Sequence, residues 1–179
     1  MNTKNKPVKY VRGAFIFIFA ITLIDGCVPE SKGNAMNKEE IRRMFLEIYN
    51  DGKVELIDVL FAPEFVSRNQ GRNPGQQEIR DHETLKIVIR ELRTASPDIQ
   101  LIMDDILVDG DMAAWRGTFN GTHTGPLKIA GKTIPPTKKK FKMGATAFLR
   151  FKNGRIVETY GLNDMLSLMQ QLGLVAPAK

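Results

Sequence analysis

The stretch from Lys140 to Leu172 constrains the fold more than any other, because two alternating segments, a turn and a helical segment follow one another without interruption. Phe141, Met143, Ala145, Ala147, Leu149 and Phe151 occupy every second position, the pattern of a strand with one buried face. Lys152-Asn153-Gly154 follows; Gly154 is free to take the left-handed conformation, so Arg155 to Asn163 returns antiparallel as the second arm of a hairpin. With a Gly154 bulge after a type I turn, Phe151 pairs with Arg155, Ala147 with Thr159 and Ala145 with Gly161; a plain two-residue turn shifts this register by one. Beyond Asn163 the period becomes helical: Met165, Leu168, Met169 and Leu172 share a stripe, Asn163 or Asp164 is the N-cap, and Gly173 ends the helix.

Upstream, Asn37-Lys38-Glu39-Glu40 has capping-box spacing and leads into Ile41, Met44, Phe45, Ile48 and Tyr49 on one helical face. Asn50-Asp51-Gly52 ends that helix, and Val54 to Phe61 forms a second, short one closed by Pro63. Phe65-Val66 is a short extended piece, and Ser67 to Gln77 is a loop. Leu85, Val88, Ile89 and Leu92 define a third helix that stops before Pro97. From Ile99 the chain is sheet: Ile99, Leu101 and Met103 alternate, Asp109-Gly110 turns, and Ala113, Trp115, Gly117 and Phe119 line the dry face of a long strand. Gly125 to Thr137, with Gly131 and Pro135-Pro136, is an irregular exposed connection. Helices followed by an antiparallel meander define an α+β class.

Half of the excess charge of +6 lies at the N-terminus, where Lys4, Lys6, Lys9 and Arg12 precede an apolar run; residues 27–179 keep 22 Lys and Arg against 19 Asp and Glu, or +3. That balance gives no indication of a nucleic-acid partner. The basic start, the apolar run Ala14 to Leu23 and Ile24-Asp25-Gly26-Cys27 read as an export signal over residues 1–26, the run being too short to span a bilayer. Cys27 is the single cysteine, so no intrachain disulfide forms. Ile24-Asp25-Gly26-Cys27 resembles the lipobox of bacterial lipoproteins, with Asp25 departing from the usual small or apolar residue. The resemblance implies a lipid on Cys27 and a domain held at the cell-envelope membrane, outside the cytoplasm; cleavage without a lipid and a retained signal anchor are the alternatives. Residues 27–36 are then a tether, 37–175 the domain and 176–179 a tail.

Few residues carry chemistry. His82, between Asp81 and Glu83, reads as a solvated first-turn side chain. His123, in Gly121-Thr122-His123-Thr124-Gly125, sits where a strand breaks and either lines an opening or bonds to nearby backbone. Asp104-Asp105 are neighbours on a strand and point to opposite faces, which excludes a carboxylate dyad. Lys138-Lys139-Lys140 and Lys142 read as a solvated strand edge. No metal-ligand spacing, nucleophile motif or phosphate loop is present.

Glu40-Ile41-Arg42-Arg43-Met44, Asn50-Asp51-Gly52, Ala62-Pro63-Glu64-Phe65, the Gly-Thr-His-Thr-Gly segment, Pro135-Pro136-Thr137, Asn153-Gly154-Arg155-Ile156 and Gln171-Leu172-Gly173, in this order, resemble the SnoaL-like polyketide cyclases, or ester cyclases, over residues 38 to 175. The resemblance implies a cone in which a curved antiparallel sheet wraps N-terminal helices around a deep pocket, with a short C-terminal helix, and it implies a homodimer. Such cyclases close a ring by intramolecular aldol condensation without metal or cofactor, using a pocket Asp as general acid/base. Counted from Ile156, that position is Gly161 here, and the pocket Gln and His of the preceding strand correspond to Ala145 and Ala147. His123 matches the family's Gly-x-His-x-Gly histidine.

The hairpin face carrying Ala145, Ala147, Thr159 and Gly161 has no titratable group, and general acid/base catalysis requires one within reach of the moving proton. Together these residues describe a domain that binds a mostly apolar small molecule against Trp115, Phe119, Ala145, Ala147, Leu149, Thr159 and Gly161, with no cofactor and no metal. The alternatives are an enzyme that uses His123 and Asp164 as its acid/base pair, and a domain whose pocket is filled by its own side chains and whose sheet face serves only for dimerisation.

Overall fold

A computed structural model of the chain describes residues 36–70, 78–129 and 132–176. The expected export signal and the Cys27 lipid site lie outside those residues, as does the tether except for Met36, which packs partly buried against the core.

Among the described residues four helices and seven strands follow in the order α1 (Lys38–Asn50), a 3-10 turn (Val54–Leu56), α2 (Ile57–Leu60), β1 (Phe61–Gln70), α3 (His82–Ala95), β2 (Gln100–Asp109), β3 (Met112–Thr122), β4 (Leu127–Ile129), β5 (Lys132–Ile134), β6 (Lys140–Lys152), β7 (Arg155–Asn163) and α4 (Met165–Leu172). Each long helix starts on a side-chain cap. Asn37 accepts from Glu40 N, Asp81 from Thr84 N and Asp164 from Ser167 N, so an otherwise orphaned amide is satisfied at each N-terminus. The buried stripes Ile41, Met44, Phe45 and Ile48 of α1 and Leu85 and Ile89 of α3 join the inner sheet face in a single hydrophobic cluster.

Five strands form one sheet in the order β1-β7-β6-β3-β2. The α+β architecture stands, but the sheet is mixed rather than wholly antiparallel. Phe65-Val66 belongs to the ten-residue β1, which runs parallel to β7. A parallel partner leaves no turn in the sequence to announce it. Pro63 fits because β1 is an edge strand. At the other edge, β2 is closed by side chains of α1: Asn50 Oδ1 accepts from Leu101 N at 2.6 Å, its Nδ2 donates to Leu101 O at 3.1 Å, and Arg42 donates to Met103 O. The Asn50 amide thus substitutes for the peptide group of a missing neighbour.

At its turn the hairpin takes the plain two-residue alternative, and further along it departs from both. Asn153 (φ 52) and Gly154 (φ 73) form a two-residue turn of the primed type, which pairs Lys152 with Arg155 and Phe151 with Ile156. An irregularity on the Val157 side then adds one residue, so Ala147 pairs with Gly161 and Ala145 with Asn163. The two steps shift the ladder by an even number, and every side chain stays on its expected face.

Three further expectations change. Gly125 to Thr137 is not wholly irregular, because Leu127–Ile129 and Lys132–Ile134 pair as a separate two-stranded sheet. Asp104 and Asp105 do not point to opposite faces: the register shifts between Met103 and Asp105, both carboxylates are exposed, and Arg116 bridges them at 3.5 and 2.5 Å. Lys140 and Lys142 project from the exposed face of β6 at a local edge, where that strand pairs with β3 but not with β7, yet at Lys142 the edge is bonded by the Gln171 amide rather than left to solvent.

Candidate functional site

Between the inner sheet face and helices α1 and α3 lies a cavity of about 500 Å³, a volume ordinary for a small-molecule site. Its floor is the sheet: Trp115 and Phe119 of β3, Met143, Ala147 and Leu149 of β6, and Thr159, Gly161 and Asn163 of β7. Phe45, Ile48 and Tyr49 of α1 and Leu85, Val88, Ile89 and Leu92 of α3 form the roof, with Leu127, Lys128 and Ile129 of β4 across one side and Met165 and Leu168 of α4 at another.

The two halves of the floor differ in kind. Aromatic rings fill the β3 side, where Phe45 meets Trp115 edge-on at 5.9 Å and Tyr49 meets Phe119 at 5.0 Å between centroids. The β6–β7 side carries larger residues at Met143, Leu149 and Asn163, but the smallest of the floor stand opposite one another between them. Ala147 faces Gly161, and a Cβ added at Gly161 would meet nothing within 4 Å, so the free volume lies there. Thr159 is spent locally, its hydroxyl bonding Ser67 Oγ at 2.9 Å across the β1–β7 seam.

Charge is nearly absent from the interior. Burial pushes the Tyr49 phenol up to about 12, so it keeps its proton and serves as a donor at any physiological pH. Trp115 lines the cavity, yet its Nε1 is buried without a hydrogen-bond partner. Glu91 and Lys128 are the charged lining residues; both are substantially solvent-exposed and pair with one another at 2.5 Å between α3 and β4. Among the described residues no three His, Cys, Asp or Glu side chains form a group that could hold a metal ion.

Six of the expected ligand-binding residues, Trp115, Phe119, Ala147, Leu149, Thr159 and Gly161, line this cavity. Ala145 does not; it is buried beside the cavity, paired with Gly117 and Asn163. Nor does either member of the expected acid/base pair. Asp164 is an exposed cap whose carboxylate accepts from Ser167 N at 3.0 Å. His123 is 1 % exposed, and its Nδ1 accepts from Thr137 N at 3.3 Å with Thr137 Oγ1 at 3.1 Å. Burial lowers the His123 pKa, against a smaller opposing effect of the Gly125 backbone. Here the imidazole ties two chain segments together. His82 is likewise not a solvated side chain: Nδ1 lies 2.9 Å from Asp58 Oδ1, Nε2 lies 3.1 Å from Ala62 O, and the ring packs on Phe65.

Sequence reasoning passed over Tyr49, Asn163, Glu91 and Lys128. Tyr49 and Asn163 were within its reach, since the helical stripe of α1 and the odd-numbered face of β7 both run on to them. Lys128 gave no signal, because a three-residue strand is too short to show a period.

The α+β fold around this mostly apolar cavity is of a class that solved structures share. A protein of ketosteroid isomerase-like fold from Catenulispora acidiphila, 13% identical with a TM-score of 0.61, covers 80% of this chain and 99% of its own, a likeness of fold alone. The SnoaL-like polyketide cyclase model matches residues 39–172, and the chain belongs to that family. Among solved structures, TsrD from Streptomyces laurentii is 29% identical with a TM-score of 0.64, covering 78% of this chain and 99% of its own. IdmH from Streptomyces antibioticus, a candidate polyketide cyclase, is also 29% identical, with a TM-score of 0.63 over 75% of this chain and 97% of its own. No curated protein matches the chain.

Proposed function

We propose that this member of the SnoaL-like family is an exported, lipid-anchored domain that holds a neutral, mostly apolar small molecule and does not carry out ring closure. The observation that carries the reading is the cavity lining. Its interior offers free volume and hydrogen-bond donors, but no group that exchanges a proton near neutral pH: Gly161 and Ala147 leave open space, Tyr49 holds its proton, and Glu91 and Lys128 neutralise each other in partial contact with solvent. A missing proton donor forfeits a factor of about 100 to 10,000 in rate. An anionic or cationic ligand would enter without an unpaired countercharge to receive it, which disfavours both against a neutral one.

The test offers the purified protein a panel of ester-bearing, polyketide-like substrates and follows ring closure. No turnover above background is expected. Robust turnover that Tyr49→Phe or Asn163→Ala abolishes would replace the binding reading with an enzymatic one. The anchoring part of the proposal rests on the N-terminal sequence and is tested separately: Cys27→Ala is expected to leave the membrane fraction or remain unprocessed, and a variant that fractionates and migrates like the parent contradicts it.

A further inference from the structure

The walls of the cavity are not held equally firmly. Its floor is a hydrogen-bonded sheet. The α1 helix is tied to β2 through Asn50 and Arg42, and α3 is tied to α1 by Arg93, which donates to Tyr49 O at 2.6 Å and Asn50 O at 2.8 Å. The other end of α3 is tied to α2 through Lys86 and Asp58 at 2.8 Å, and α4 is tied to β6 by the Gln171 amide, which exchanges two hydrogen bonds with the Lys142 backbone. The exception is β4. Among the described residues it pairs only with β5, in a hairpin separate from the main sheet, and its one polar side-chain link to the rest of the cavity wall is the exposed Lys128–Glu91 ion pair.

The base of this hairpin, by contrast, is fixed. His123 N donates to Lys139 O and Lys138 N to His123 O, both at 2.9 Å, while the ring accepts from Thr137 N. Thr124 N and Gly125 N both donate to Ala95 O at 3.0 Å, and Gly125 lies so close to the end of α3 that a Cβ there would overlap the Thr94 carbonyl. Movement of the hairpin is therefore confined to the chain beyond Gly125 on one side and before Thr137 on the other.

From this contrast we infer that the β4–β5 hairpin is a flap over the cavity, hinged on the His123 clamp and latched by Lys128 to Glu91, and that ligand passes beneath it. The latch rests on the ligand-binding reading for its purpose, though not for its detection. Opening the floor breaks a strand ladder, and opening the roof breaks bonds to backbone carbonyls. Opening the flap breaks one solvent-exposed ion pair and exposes the inward sides of Leu127 and Ile129. An exposed pair of this kind shifts an opening equilibrium by about 1.4- to 5-fold.

The test uses the full chain and two measurements. Hydrogen exchange follows the amides of Leu127–Ile129 and Lys132–Ile134 against those of β6, and stopped-flow fluorescence follows release of Nile red, a neutral dye. In the parent the hairpin should exchange faster than β6. Lys128→Glu, which sets two carboxylates face to face, should raise both hairpin exchange and dye release about two- to five-fold and leave β6 exchange unchanged. The swap Glu91→Lys with Lys128→Glu should return both to parental values. Hairpin exchange that does not respond to Lys128→Glu, or a swap that fails to restore it, overturns the latch. Faster exchange with unchanged dye release overturns the route. If the parent binds no dye, the ligand-binding reading and the route fall together, and hairpin exchange alone still decides the latch.

Discussion

Trp115 presents an inconsistency that can be measured. Its ring is buried among aromatic neighbours, a favourable site, but its Nε1 donates to nothing. An unsatisfied buried donor carries a desolvation cost that a phenyl ring avoids, and that relief offsets part of the cavity left where the second ring of the indole was. Trp115→Phe is therefore expected to change the unfolding free energy by less than about 1 kcal/mol, as urea denaturation would show, whereas Trp115→Ala should cost about 3–5 kcal/mol. A second residue sets the acid response. His123 has its pKa lowered, so the native ring stays neutral while an unfolded ring takes up a proton near pH 6.5. Its contribution to stability is complete above that value and is lost as the pH falls from there through the lower folded value. Asp98, held down by its bonds to the Thr122 hydroxyl and amide, acts in a separate window: its contribution is present above about pH 3.9 and is lost as the pH falls through the depressed folded value. Proton NMR should find the His123 titration midpoint in the folded protein below 6.5, and a midpoint at or above that value would contradict the assignment. At this scale the cavity floor was legible from alternation, because period two keeps Trp115, Phe119, Ala147, Leu149, Thr159 and Gly161 on one side under the even register shift that the hairpin makes. The roles of His123 and Asp164 were not, since both depend on contacts made far along the chain or at a helix end.

Among the elements, the hairpin β6–β7 and helix α4 were readable because turn chemistry and periodicity reinforce each other there. β1 was not, because its partner β7 is about ninety residues distant and parallel. Nor were β4 and β5, where three residues per strand leave no pattern. The closed edge of β2 depends on Arg42 and on Asn50, which was read only as a helix terminator. Asn50→Ala removes both Leu101 bonds and reopens the edge, so stability should fall by about 1–3 kcal/mol and light scattering should reveal aggregation at concentrations the parent tolerates. A variant as soluble and as stable as the parent would mean that the edge needs no cover.

The molecule as a whole has a second apolar face, on the outside of the sheet. Leu107, Ala114, Phe148 and Tyr160 stand in one row across β2, β3, β6 and β7, with Leu162 two residues further along β7; Leu107 is 73% exposed and Phe148 54%. The charges that border this row are paired within the chain, Asp104 and Asp105 with Arg116 on the β2 side and Arg68 and Arg150 with Glu158 toward β7, so no unpaired charge opposes covering it. We propose that the homodimer implied by the family resemblance forms through this face, a second copy of the chain being the partner that covers it. Phe148→Glu should then convert a dimer to a monomer in sedimentation equilibrium, and a parent that sediments as a monomer would refute self-association.

The central claim, that the space above Ala147 and Gly161 is where a small molecule sits, is tested most directly by equilibrium titration with Nile red. The parent should bind one dye per chain saturably. Ala147→Trp fills the free volume beside Gly161 and should abolish binding while circular dichroism and the cooperative unfolding transition remain those of a folded domain. Equal affinity in the folded variant, or no saturable binding by the parent, would contradict the account.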